Sequence, residues 1–151
     1  MFRGVNQINL DAKGRMAMPA RYREQIADCC ENELVVTIDT EARCLLLYPL
    51  PEWEVIEKKL EALPSFNPAA RRIQRLLIGH ATDIELDASG RLLLPAPLRA
   101  YAMLDKKLVV MGQGRKFEIW SEEHWNSQRD NYLAESDQTQ GLPDELQTLS
   151  L

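Results

Sequence analysis

The chain has no apolar run long enough for a membrane helix, and its start lacks the apolar stretch of a signal peptide. The expectation is a cytoplasmic protein with no membrane partner. Cysteine and histidine are sparse. Cys29, Cys30 and Cys44 are odd in number, none is spaced C-x-x-C, and His80 and His124 lie far from them in sequence. Zinc-ligand spacing is therefore absent, and free thiols packed in a reduced protein are expected. No nucleophile elbow, phosphate-cradling glycine loop or metal triad is present either. No catalytic residue, metal, cofactor or small-molecule substrate is assigned, and the chain does not read as an enzyme.

Positive charge is also in short supply overall, with a formal net charge of −5. The distribution reverses what that total suggests about nucleic acid. Residues 121–151 hold Glu122, Glu123, Asp130, Glu135, Asp137, Asp144 and Glu145 against Arg129, a net −6, so the other 120 residues come to +1. Residues 1–24 carry Arg3, Lys13, Arg15, Arg21 and Arg23 against Asp11 and Glu24, a net +3. Local field steers a polyanion more than total charge does. At 151 residues the chain has the length of one domain with a real core.

What the sequence does have is a duplication. Ile8-Asn9-Leu10-Asp11-Ala12-Lys13-Gly14-Arg15, running on through Pro19 to Arg23, returns as Ile84-Glu85-Leu86-Asp87-Ala88-Ser89-Gly90-Arg91, running on through Pro95 to Arg99. The Asp, Gly, Arg, Pro and final Arg of each copy are all 76 positions apart. Asp-Ala-x-Gly-Arg between short apolar runs signals a hairpin. Its carboxylate can accept backbone N–H groups two or three residues on, and Gly14 and Gly90 supply the positive φ that closes the turn. Pro-Ala-x-x-Arg then opens a helix. Each unit reads strand, tight turn, strand, short helix.

These motifs resemble the SpoVT/AbrB swapped-hairpin superfamily. Two tandem copies behind Met1-Phe2-Arg3-Gly4, matched to about Trp125, resemble the MraZ family of transcriptional regulators. The resemblance implies a sequence-specific regulator that binds direct repeats of double-stranded DNA in a promoter. It further implies a ring-like homo-oligomer, nucleoid-associated, that controls its own operon and adjacent division and cell-wall genes. The rival reading is an antitoxin-type protein-interaction module, since swapped-hairpin domains also serve that role.

The expected fold is α+β with a mainly β core, a pseudo-two-fold swapped-hairpin β-barrel built from the tandem units. Residues 1–151 form one structural domain, with repeats at 5–53 and 81–125, a helical connector at 52–79, a helix at 122–134 and an acidic flexible tail at 135–151. Helices are expected from Pro19 to about Cys29, Glu52 to Leu63 and Ala69 to Gly79. A second hairpin pairs Leu34–Ile38 with Cys44–Tyr48, echoed by Leu108–Val110 and Phe117–Trp120. Trp53, Trp125 and Phe117 are read as packing residues, and Arg71, Arg72 and Arg75 as a solvated helix face.

The residues expected to touch DNA are Lys13, Arg15 and Arg21 of the first copy, with Arg3 flanking it, and Arg91 of the second. Asp11, Gly14, Arg23, Asp87, Gly90 and Arg99 are assigned to the turn and its support. The second copy has Ser89 for Lys13 and Pro97 for Arg21, so the first hairpin is the better DNA face.

Overall fold

The two units exchange strands instead of each closing on itself. In the computed structural model, which describes residues 1–135 and 143–149, the first repeat and connector run β1 (Phe2–Asn9), β2 (Arg15–Ala17), α1 (Ala20–Cys30), β3 (Glu33–Ile38), β4 (Leu45–Pro49), α2 (Leu50–Glu61) and α3 (Pro68–Leu77). The second runs β5 (Thr82–Glu85), β6 (Arg91–Leu93), α4 (Ala96–Tyr101), β7 (Lys107–Gly114), β8 (Phe117–Ser121) and α5 (Glu122–Ala134), followed by the one-turn helix α6 (Asp144–Gln147). Of the expected flexible tail, residues 136–142, 150 and 151 lie outside the described residues. Six strands form an antiparallel sheet in the order β1-β7-β8-β4-β3-β5, while β2 and β6 form a separate ribbon.

Equivalent residues of the two copies meet across this arrangement. Met16 stands opposite Leu92, its own counterpart, and Leu46 opposite its counterpart Glu118. Ile8 faces Leu108 in one outer pair, and Ile84 faces Leu34 in the other. A pseudo-two-fold axis therefore passes through the ribbon and through the β4–β8 pair.

Two expectations are corrected here. The turns form, but the first hairpin does not extend beyond one bridge between Leu10 and Met16. β1 pairs instead with β7 from Phe2–Gly114 to Asn9–Lys107. Backbone N–H and C=O groups must be paired, and an eight-residue partner satisfies more of them than a three-residue return strand. The barrel is also not closed, because among the described residues the sheet ends at β1 and β5. β2 and β6 are three residues each and pair with one another, too short to carry a second full ladder.

The ribbon still covers the core. Met16, Met18, Leu92 and Leu94 are fully buried and join Leu34, Val36, Leu45, Leu47, Leu108, Val110, Phe117 and Ile119 of the inner sheet face. Helix α1 adds Tyr22, Ile26 and Cys30, spaced at i, i+4 and i+8 on one side, and ends with Glu31 and Asn32 both in the left-handed region. The outer face is covered too: Val35, Leu46 and Tyr48 lie under Trp53 of α2, and Val109 and Trp120 under Trp125 of α5. Helix α2 starts two residues earlier than the sequence suggests, since Pro51 needs no N–H in the first turn.

The exposed residues Glu33 and Glu85 stand directly opposite one another in the β3–β5 pair. Like charges so placed repel. Replacing Glu85 with Lys is expected to raise stability by about 0.2–1 kcal/mol in urea unfolding. An unchanged or lowered midpoint would show that the two carboxylates do not interact.

Candidate nucleic-acid interface

Each Asp turn is a small hydrogen-bonded unit. One Asp11 oxygen accepts the backbone N–H groups of Lys13 and Arg15, both at 2.9 Å, and the other accepts Arg15 Nε at 2.9 Å. The N–H of Gly14 closes the turn onto Asp11 O at 3.0 Å. Asp87 repeats this with the N–H groups of Ser89 and Arg91 at 2.9 Å. There the guanidinium stands off: Arg91 Nε is 3.5 Å from Asp87 Oδ2 and has no hydrogen-bond partner among the described residues. The Arg15 N–H, then its guanidinium, hold the Asp11 carboxyl below the usual carboxylate range; the Arg91 and Ser89 N–H groups do the same for Asp87.

Because both carboxyls are more acidic in the folded chain, their contribution is present above the ordinary value of 3.8 and is lost as pH falls through the lower folded value. Asp11→Asn is therefore expected to lower the neutral-pH thermal midpoint and to flatten its decline between about pH 5 and pH 2. Parallel acid profiles for wild type and variant would show that the charge does not support the turn.

The two arginines after these turns share one surface. In the ribbon Arg15 pairs with Leu93 and Ala17 with Arg91. Met16 and Leu92 point into the core, so Arg15, Ala17, Arg91 and Leu93 line the outer face. Arg15 and Arg91 are diagonal neighbours, a relation that spans about 7–8 Å between backbones. One turn lies at each end of this ribbon. A two-stranded ribbon fits the major groove of B-DNA, and a guanidinium can bind a guanine edge with two parallel bonds. Arg15 uses Nε on Asp11, and its terminal amines make no hydrogen bond among the described residues.

The supporting arginines cross between repeats. Arg99 packs over Gly14 (φ 85°), where an added Cβ would lie 2.6 Å from its Cζ, and Arg23 packs over Gly90 (φ 75°) in the same way. Each is anchored in its own repeat, Arg23 Nε donating to Met18 O at 2.8 Å and Arg99 Nε to Leu94 O at 3.0 Å. Met18 N donates to Gly90 O and Leu94 N to Gly14 O, both at 2.9 Å, so each turn is held by the other half. Of the first copy's cations, Lys13 and Arg15 stay at the first turn, while Arg23, assigned to turn support, packs against the turn of the other repeat. Arg21 donates to Asn6 Oδ1 at 2.6 Å and lies over the Tyr22 ring. Arg3 sits at the far end of β1 from the turn, about 20 Å away at the rise of a strand.

Two cations take their place beside the first turn. Lys107 pairs with Asn9, and Lys106 O accepts Leu10 N at 2.8 Å. Both are exposed and, with Asp11 and Ala12, line a groove of about 550 Å³. Sequence reading missed them because they lie over 90 positions away from the turn. The signal available was the register of the repeats, which places Lys106-Lys107 against Asn32-Glu33.

Asp39, Cys44 and Glu118 bring three potential metal-ligand atoms within 4.8 Å. Cys44 Sγ–H donates to Asp39 Oδ2 at 3.5 Å, and burial, followed by the Glu118 and Asp39 charges, pushes the thiol up. Within this group the Cys44 thiol and the Asp39 carboxylate already satisfy one another as a hydrogen-bonded pair. Among the described residues no helix is long and apolar enough to cross a membrane.

Both halves of the chain match known proteins. The family model described as "MraZ protein, putative antitoxin-like" matches residues 1–76 and again 77–144. A protein of Alkalilimnicola ehrlichii named Transcriptional regulator MraZ is 60% identical over 151 residues, covering all of both chains. Proteins of the same name from Marinomonas sp. and Legionella pneumophila are 61% identical over 135 residues, 89% of each chain, and 59% identical over 152 residues, the whole of each chain. With both units matched and the identity sustained end to end, the chain belongs to the MraZ family.

Proposed function

We propose that this protein is a sequence-specific DNA-binding transcriptional regulator that recognises promoter direct repeats as a homo-oligomer. The observation that carries the reading is the β2–β6 ribbon, which presents Arg15 and Arg91 on one outward face. Arg15 is held by Asp11 so that its terminal amines remain available to a base edge, and Lys13 extends the basic end. The names of the relatives support the same reading. Strand exchange between the repeats supports the swapped-hairpin description of the superfamily, here within one chain.

Its targets are its own operon and the adjacent division and cell-wall genes. One ribbon carries few cations and binds weakly. Several ribbons in a ring-like assembly gain effective concentration on repeated sites. Arg3 on β1 and Arg21 at the start of α1, where it donates to Asn6, act as flanking contacts to the same DNA.

The test is a salt titration on the promoter upstream of the gene for this chain, read by fluorescence anisotropy. If several subunits each neutralise about two phosphates, log affinity should fall with log salt at a slope steeper than about −4. A slope near zero would remove the DNA reading.

A further inference from the structure

The ribbon is symmetric in its backbone and asymmetric in its charge. The pseudo-two-fold axis through Met16 and Leu92 exchanges Arg15 with Arg91 and one turn with the other. Duplex DNA has a local dyad of its own, so a truly symmetric ribbon would sit in a groove equally well either way round. The residues around the two turns break that equality.

At the first turn the cations are Lys13, Arg15, Arg99, Lys106 and Lys107, against the acids Asp11 and Asp105, a formal +3. At the second the cations are Arg23 and Arg91, against Glu31, Glu33, Glu85 and Asp87, a formal −2. The change falls on counterpart positions: Lys13 becomes Ser89, Lys106 becomes Asn32, Lys107 becomes Glu33, and Asn9 becomes Glu85. Asn9–Lys107 and Glu85–Glu33 are the equivalent cross-strand pairs, so the substitutions replace a cation beside one turn with two facing carboxylates beside the other.

We infer that Lys106 and Lys107 are DNA-positioning residues supplied by the second repeat, and that with Lys13 they give each subunit one polarity on the duplex. The inference rests on the DNA-binding reading above. Phosphate contacts set orientation and register, while base contacts set sequence. The first turn docks against a phosphate strand, and Glu33 and Glu85 hold the second turn off the opposite one, because like-charge juxtaposition is costly. Every ribbon along a promoter therefore reads its site in the same direction. Direct repeats satisfy all subunits, and alternately inverted repeats satisfy half.

The experiment compares two fragments with identical repeats and spacing, one with all repeats direct and one with alternate repeats inverted. Wild type is expected to bind the direct fragment at least about 10-fold more tightly. The variant Glu33→Lys/Glu85→Asn/Ser89→Lys takes the second turn from a formal −2 to +2, close to the +3 of the first, and should bind both fragments within about 2-fold. Its thermal midpoint should equal or exceed that of wild type, since the facing carboxylates are gone. A folded variant that keeps the full preference overturns the inference. So does a swap of the outward apolar pair, Ala17→Leu/Leu93→Ala, that abolishes the preference alone. Should the charge-copied variant fail to fold, Lys13→Ser/Lys106→Asn/Lys107→Glu makes the same comparison from the other side. It should lose the preference together with affinity, and a retained preference overturns the inference. Wild type that binds neither fragment above background fails the regulator reading itself, a result distinct from tight binding without preference.

Discussion

Arg15→Ala is expected to remove specific promoter binding, while Arg91→Ala keeps most of it. The two side chains occupy equivalent places on one ribbon, so each serves as the other's control. Loss of a bidentate guanine contact reduces discrimination by about 1–3 kcal/mol, or about 5- to 150-fold, at each site. In an array of identical subunits that loss recurs at every repeat. Arg15 has its Nε bonded to Asp11 at 2.9 Å, which orients the fork outward, and stands at the basic end with Lys13, Lys106 and Lys107. Arg91 lacks that hydrogen bond, and the strand before its turn carries Glu85, which faces Glu33. Neither change should unfold the protein, because an exposed ion pair contributes little to stability. Promoter binding and thermal midpoint, measured for both variants at one salt concentration, decide the matter. If Arg91→Ala abolishes binding while Arg15→Ala leaves it intact, with both proteins folded, the DNA face belongs to the other end of the ribbon.

Phe117→Ala is expected to be the most destabilising single change among the aromatic residues. Phe117 has no exposed surface; its ring stacks on Phe2 at 4.2 Å and meets Tyr22 edge-on at 4.9 Å. It thereby joins β1, α1 and β8, which come from both repeats. Removing such a ring costs the transfer energy plus a cavity, about 3–5 kcal/mol. For a chain of this size that corresponds to a fall in thermal midpoint of about 6–20 °C. Trp125→Ala should cost less, since Trp125 is only half-buried and touches Trp120 on the outer sheet face. Both belong in one denaturant series at fixed protein concentration, because self-association shifts apparent stability. A cost below about 1 kcal/mol for Phe117→Ala would mean that the core relaxes around the vacancy and that this ring does not tie the repeats together.

Much of this protein was legible in its sequence because the information is local. The 76-residue spacing shows the duplication, and Asp-Ala-x-Gly-Arg dictates a turn through one carboxylate and one positive φ. The apolar spacing of α1 and the β-rich runs of β3 and β4 depend on near neighbours, and they form where the pattern places them, within one or two residues. Partnership between distant segments is another matter. A hairpin pattern says that two strands lie close, and it is silent on whether a longer strand elsewhere offers a better ladder. Here β7 took β1, and β2 was left to pair with its own counterpart β6. That exchange carried Arg23 to Gly90 and Arg99 to Gly14, brought Arg15 and Arg91 onto one face, and set Lys106 and Lys107 beside a turn that precedes them by more than 90 residues. The charges were written in the sequence. Which of them share a surface was decided by backbone pairing and a common core, both of which follow from the fold of the whole chain.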